Sequence, residues 1–274
     1  MPENFSEISE VRLPRFEESL LGQQAKSFDI SSFAPGEADE PLGNIVGSME
    51  VSRKTDDNGK TYSENGHLLP NITYELNGNI YTTDENGRIV HVEAIPERAP
   101  ENMRDNTAQQ RCGGEYRLPT DQGGHIISRD LGGDSGDGNL VVMDSRINQS
   151  DYKCMENDIK AALDEGKEVT TKIDISYKGD SERPDKIKVT LTIDGKDTVY
   201  KFDNNMDGSL MEEVPENGKE VVQRRLDKVG GNISSIKEEY DEDGNLVKTT
   251  VTITTKDENG NNIRCRVSIP ARGE

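Results

Sequence analysis

Short β-prone runs separated by Asp-Gly and Asn-Gly turns dominate this chain, and they restrict its fold more than any other feature. "YELNGNIYTT" places Asn-Gly between two β-prone arms, and "YTTDENGRIVHVEA" turns again. "VTTKIDISYKGD", "DKIKVTLTIDGKDTVYKFDNN" and "SSIKEEYDEDGNLVKTTVTITTKDENGNNIRCRVSIP" continue in the same style. Asn-Gly and Asp-Gly reach the left-handed conformations that tight hairpins require, so strands should pair antiparallel with their sequence neighbours. The turn "DENG" occurs at 84–87 and 257–260, and "DEDGN" at 241–245. Their flanking strands do not align, so this is one turn chemistry used several times rather than an internal repeat.

Composition limits how much of the chain can be core. Hydrophobic residues make up 31%, aromatic residues 5%, and tryptophan is absent. This predicts a compact centre with polar hairpins and a loose end. Residues 1–45 read as a flexible leader with a short helix around Glu10–Gln24, 46–215 as the main domain, and 216–274 as a C-terminal β-hairpin extension with a small helix near Gly218–Lys228. No apolar run is long enough to cross a membrane as a helix, and no membrane partner is expected. The N-terminus lacks a basic stretch followed by an apolar one, so no secretory signal is read. Location stays open between the cytoplasm and a specialised leaderless export route. Cys112, Cys154 and Cys265 form no CxxC pair and read as ordinary thiols. The net charge of −20 favours, taken alone, a metal-binding, solubilising or partner-binding role, because nucleic-acid binders usually carry a basic footprint.

The stretch "TDQGGHIISRDLGGDSGDGNLVVMDSRINQSDYKCMEND" departs from the rest. "HIIS" and "NLVVM" read as short strands, with His125 at the start of the first. A helix is expected from about Gln149 to Glu165, because Tyr152, Met155, Ile159 and Leu163 form one apolar stripe and Gly166 can end it. Packed as β-β-α, the segment would gather three groups at one end. His125 could take a proton from water. Asn148 offers a neutral hard ligand for one Mg²⁺, with Mn²⁺ as its substitute, and Glu156 could orient the ion's waters. Lys160, a turn beyond Glu156, could meet a phosphate. These parts suit phosphodiester hydrolysis.

With those residues in place, "GGHIISRDLGG…GNLVVMDSRINQSDYKCMENDIKAALDEGK" resembles the ββα-metal (His-Me finger) DNA/RNA non-specific endonucleases, in particular their bacterial toxin-type branch, over roughly residues 70–200. The resemblance implies an α+β fold with a ββα catalytic core, His125 as general base, Asn148 as metal ligand and Glu156 as water-orienting acid. It further implies Asn139 as a supporting amide and Lys160 as a phosphate-contacting cation. The substrate would be DNA and/or RNA, and a toxin would imply an immunity protein as partner. The better-known form of the family has Asp-Arg-Gly-His where this chain has Gln122-Gly123-Gly124-His125. The arginine is missing, and Arg117 and Arg129 are the nearest replacements. For the cleft to attract phosphate, Arg111, Arg117, Arg129, Arg146 and Lys153 should lie near His125 and most acidic residues away from it.

Two rival readings remain from the sequence. One is a catalytically inactive acidic interaction module on the same fold. The other is a calcium-stabilised β-module. "DNNMDGSLMEEV" has Asp203, Asn205, Asp207 and Gly208 at EF-hand-like positions, but Val214 stands where the bidentate glutamate belongs. His67 and His91 have no comparable neighbours and are expected to be non-catalytic.

Overall fold

The computed structural model describes residues 51–100 and 103–271; the expected leader and its helix at Glu10–Gln24 lie outside the described residues. In chain order the elements begin with β1 (Arg53–Thr55), β2 (Thr61–Glu64), β3 (His67–Leu68), β4 (Thr73–Leu76), β5 (Asn79–Thr83) and β6 (Ile89–Ala94). Helix α1 (Asn106–Arg111), β7 (Asp121–His125), β8 (Leu140–Asp144) and helix α2 (Tyr152–Asp164) follow. Then come β9 (Val169–Tyr177), β10 (Pro184–Ile193), β11 (Lys196–Asp203) and helix α3 (Glu216–Val229). The last three strands are β12 (Asn232–Tyr240), β13 (Leu246–Lys256) and β14 (Asn262–Pro270).

The hairpin turns behave as their residues dictate. Asn77 and Gly78 join β4 to β5 at φ 52° and 74°, and Asp194 and Gly195 join β10 to β11 at φ 49° and 81°. Both are positive-φ pairs, whose twist matches that of the flanking strands. In the longer turns one aspartate bonds forward to the backbone. Asp84 Oδ1 accepts from Asn86 N and Arg88 N, and Asp257 Oδ1 accepts from Asn259 N and Asn261 N. Against burial at Asp84, a side-chain bond from Arg88 and then these backbone bonds hold the carboxyl below the usual range, and a side-chain bond from Asn261 with its backbone bonds does the same at Asp257.

Among the described residues, nine antiparallel strands form the main sheet, in the order β14-β13-β12-β11-β10-β9-β6-β5-β4. The fold is therefore α+β and mostly antiparallel, as the turn chemistry predicts. Buried and exposed residues alternate along β9: Val169, Thr171, Ile173 and Ile175 point inward, and Thr170, Lys172, Asp174 and Ser176 outward. Each fully buried Ile or Val contributes on the order of 1.5–3 kcal/mol. The expected extension at 216–274 adds β12–β14 to this same sheet. Helix α3 covers them, with Val222, Ile236, Val251, Ile253 and Ile269 in an apolar cluster of their own. Gly218 permits that approach, since a Cβ there would lie 2.2 Å from Ile269 Cδ1.

Neighbouring strands β6 and β9 are separated in sequence by α1, β7, β8 and α2. This excursion packs on the sheet. Ile126, Val141, Met143, Ile147, Tyr152, Met155 and Ile159 share one core with Val92, Ile173, Ile187 and Val189. Among the described residues, no helix is long and apolar enough to cross a membrane. The three cysteines are free thiols, and burial pushes the Cys112 thiol up to about 12. The calcium-like segment is a closed turn: the Asp203 carboxylate accepts from the backbone N–H groups of Asn205, Met206 and Asp207, while Asp207 is held by Lys178.

Candidate functional site

Strand β7 has the sequence Asp-Gln-Gly-Gly-His, with no apolar side chain to bury, so hydropathy cannot place it. The expectation that His125 begins a strand is corrected: it ends one, opposite Leu140. The glycines are there for close approach rather than for a turn. A Cβ at Gly123 would lie 2.7 Å from Gln109 O, and one at Gly124 would lie 2.7 Å from Met143 Sδ. Beyond His125 the pairing is completed by a side chain. Ile127 N donates to Asn139 Oδ1 at 2.9 Å, and Asn139 Nδ2 donates to Ile127 O at 2.8 Å and Asp134 O at 2.7 Å. Tyr81 Oη donates to the same Asn139 oxygen at 3.1 Å. Asn139 is fully buried, and its amide satisfies four polar groups that would otherwise be stranded inside the protein.

A two-stranded hairpin is marginal alone; this one packs its β8 side chains Val141 and Met143 into the core under the main sheet and is tied to it further by polar clamps. Arg183 Nε and Nη2 bond both oxygens of Asp121 at 2.7 and 3.0 Å, with both side chains almost fully buried. Asn204 accepts from Asp144 N and donates to Val142 O and Pro184 O. Tyr152 Oη donates to Ile126 O at 2.7 Å, fastening α2 across the hairpin just after His125.

These restraints fix the His125 ring. One ring nitrogen is hydrogen-bonded to the Ser135 backbone, while Nε2 is buried without a partner. Burial first, and the nearby Arg129 and Arg104 guanidiniums after it, push the His125 pKa down to about 4, against the opposing effect of the Ser135 bond. The imidazole is therefore neutral near pH 7, with one nitrogen able to accept a proton.

Asn148 lies in a π-helical turn, Ile147–Asp151, that precedes the regular helix. The helix expected from Gln149 thus becomes regular only at Tyr152. The wider turn buries Ile147 and Asp151 while Asn148 and Gln149 face a cleft. Insertions of this kind are frequent at functional sites. Asp151 is held from the C-terminal strands, by Ser234 Oγ at 2.5 Å and Arg264 Nη1 at 3.3 Å. Asn148 Nδ2 donates to Gln122 Oε1 at 2.8 Å, which turns Oδ1 the other way, toward Gly124. That leaves a neutral oxygen as the donor atom there. No group of three or more His, Cys, Asp or Glu side chains able to hold a metal occurs among the described residues. Such a donor set suits a hard cation that keeps most of its waters, as Mg²⁺ does, and does not suit a fully ligated structural ion.

His125, Asn148 and Glu156 line one cleft of about 610 Å³. Arg104, Arg117, Arg129 and Lys153 line it as well, against the carboxylates Asp130 and Glu156. The local balance is positive in a chain of net charge −20. Glu156 is paired with Lys153 at 3.0 Å. Other residues expected near the site lie elsewhere. Arg146 is folded onto Asp144 through bonds of 2.8 Å, and Arg111 pairs with Asp137 at 2.6 Å beside a separate pocket. Lys160 is bonded to Asp130 at the cleft margin. His91 sits on the sheet with Nδ1 2.7 Å from Asp174, and His67 lines the separate pocket. Sequence reasoning missed Arg104, Asn106, Gln109, Gln122 and Gln149. The signal for α1 was present in Asp105, whose side chain caps Ala108 N, and in Gly113 beyond its end.

Residues 70–195 match the model of the DNA/RNA non-specific endonuclease family, so the resemblance read from the central stretch holds over that domain. The chain is also similar to the type VII secretion system protein EssD of Staphylococcus aureus. For strains USA300 and NCTC 8325 / PS 47 the identity is 36% over 144 residues, covering 50% of this chain and 24% of the relative. The Newman strain protein gives the same identity over 23% of its length. The chain thus spans about a quarter of the length of these relatives.

Proposed function

We propose that residues 46–215 form a metal-dependent endonuclease of the ββα-metal (His-Me finger) type that hydrolyses phosphodiester bonds of DNA and/or RNA. The observation that carries this reading is the neutral His125 ring, with Nε2 unpartnered, on a residue that borders a positively lined cleft together with Asn148 and Glu156. Nε2 takes a proton from a water whose oxygen bonds to phosphorus as the P–O3′ bond breaks, and the leaving oxygen collects a proton from solvent. The Ser135 bond holds the ring in the tautomer this requires. Gln122 keeps the Asn148 amide oxygen directed away from itself, and Glu156 orients water. A Mg²⁺ bound through Asn148 Oδ1 would stabilise charge on the phosphate and the leaving oxygen, and Mn²⁺ would serve equally. Substrate is held through phosphates rather than bases, so sequence preference is weak.

Similarity to a type VII secretion system protein supports a nuclease that acts after export, with an immunity protein blocking the cleft in the producing cell. Growth arrest on expression that is abolished by His125→Ala is the expected sign, and harmless wild-type expression argues against it. The test of the activity is incubation of the full chain with supercoiled plasmid and with a structured RNA. Cleavage with Mg²⁺ and none with EDTA is expected. A folded protein that binds Mn²⁺ and cuts neither substrate would instead be the inactive interaction module.

A further inference from the structure

Phosphodiester hydrolysis concentrates negative charge on the non-bridging phosphate oxygens, and a strongly acidic chain must fix a cation there. Four basic side chains line the cleft, and three are occupied within the protein. Arg117 donates to the carbonyls of Gln109, Gln110 and Asp121, which fastens α1 to the start of β7. Arg129 is buried and has a partner within the chain. Lys153 is paired with Glu156. Arg104 is exposed, and no hydrogen bond or ion pair holds its guanidinium among the described residues.

The position of Arg104 follows from Gly123. Gln109 O, Cα and C lie 2.7, 2.9 and 3.2 Å from where a Cβ at residue 123 would stand. The backbone of α1 therefore fills the space that a side chain on β7 would need. The same short helix begins just after Arg104, behind its cap Asp105, and Asn106, Gln109 and Gln110 line the cleft beside it. A glycine at 123 and a cation at 104 are two consequences of one packing arrangement.

We propose that Arg104 is the phosphate-binding cation of this site, donating its guanidinium N–H groups to the non-bridging oxygens of the scissile phosphate, with α1 carrying it to the cleft over Gly123. This inference rests on the nuclease reading above. Arg104 stays protonated throughout; it donates hydrogen bonds that strengthen as charge develops, while the proton inventory at His125 and the leaving oxygen is unchanged. Arg104 and His125 line the same cleft, and the guanidinium adds to the disfavouring of protonation at the ring.

The test compares wild type, Arg104→Ala, Arg104→Lys and Arg117→Ala in Mg²⁺-dependent cleavage of a fluorescent oligonucleotide. Melting temperature and the thermal shift on adding Mn²⁺ are followed alongside. Arg104→Ala should lower both kcat and kcat/KM by roughly 10²–10³-fold, the size seen when one oxyanion donor is removed. Its melting temperature and Mn²⁺ shift should match wild type. Arg104→Lys should recover part of the rate, because it keeps the charge but not the planar fork. Arg117→Ala should differ in kind, lowering the melting temperature. Undiminished kcat in Arg104→Ala overturns the assignment, as does a loss that follows a reduced Mn²⁺ shift or reduced melting temperature. A wild type that cuts nothing overturns the nuclease reading and this inference with it, whereas a wild type that cuts beside an equally fast Arg104→Ala overturns the inference alone.

Discussion

Strands β7–β8 and strands β12–β14 are both antiparallel and both rest on apolar burial, yet the hairpin that carries His125 adds a set of buried polar clamps. The C-terminal strands have 9, 11 and 9 residues and bury a continuous apolar cluster under α3. Strand β7 has five residues, two of them glycine; Arg183 clamps its first residue Asp121, Asn204 clamps its partner β8, and Asn139 holds Ile127 just beyond its end. Apolar burial tolerates small shifts, because it is non-directional. Hydrogen-bonded clamps are directional, so they can hold His125 and Asn148 in a defined relation at the cost of sensitivity to each polar partner. A scaffold can be built from the first kind of contact, whereas a site that must aim a nitrogen and an amide oxygen needs the second.

The largest way to break this contrast is Arg183→Ala. It strands the fully buried Asp121 carboxylate and should cost roughly 3–5 kcal/mol in denaturant unfolding, with cleavage lost where the hairpin comes away from the sheet. Ile253→Ala attacks the other region. It should cost on the order of 2–5 kcal/mol, while the cleavage rate per folded molecule stays at the wild-type value. Equal loss of specific activity in both variants would erase the distinction between scaffold and site. Ser234→Ala probes the join between the regions, since its hydroxyl bonds Asp151 in the turn carrying Asn148. About 1 kcal/mol of stability should go, together with a weaker Mn²⁺ thermal shift.

A further effect, confined to acid conditions, is a dependence on pH. His125 titrates near 6.5 when unfolded and near 4 when folded. Between those values the unfolded chain binds more protons, so stability rises with pH there. The contribution is complete above about pH 6.5 and is lost as pH falls toward 4. His125→Gln should flatten that part of the stability profile. Cleavage, which needs the neutral ring, should hold steady from pH 8 to 6 and fall only as pH approaches 4. An inflection near 6.5 would place the ring in solvent.

What the sequence revealed divides along the same line. Turns such as Asn77-Gly78 and Asp194-Gly195 were legible because their chemistry is local, and the alternation in "VTTKIDISY" exposed a one-sided strand. The stripe from Tyr152 to Ile159 marked α2. His125, Asn148 and Glu156 could be singled out by spacing. β7 could not be, because it carries no apolar side chain, and the hairpin it forms with β8 is clamped by residues far along the chain, Arg183 on Asp121 (62) and Asn204 on Val142 (62). The same holds for the π turn at Asn148, which no periodicity announces. Lys160 was expected to face phosphate from its helical spacing and from the resemblance, and Arg146 to lie near the cleft from charge balance; in the structure they are paired with Asp130 and Asp144. A side chain's reach is visible in sequence, while the partner that captures it is not.

The most direct measurement is single-turnover cleavage of plasmid by wild type and His125→Ala with Mg²⁺, repeated with imidazole in the buffer. A fall of about 10²–10⁴-fold in the variant, with melting temperature little changed and part of the rate restored by imidazole, is the result expected of a general base at this position. A folded His125→Ala protein that cuts as fast as wild type would contradict the assignment and move the chemistry away from this cleft.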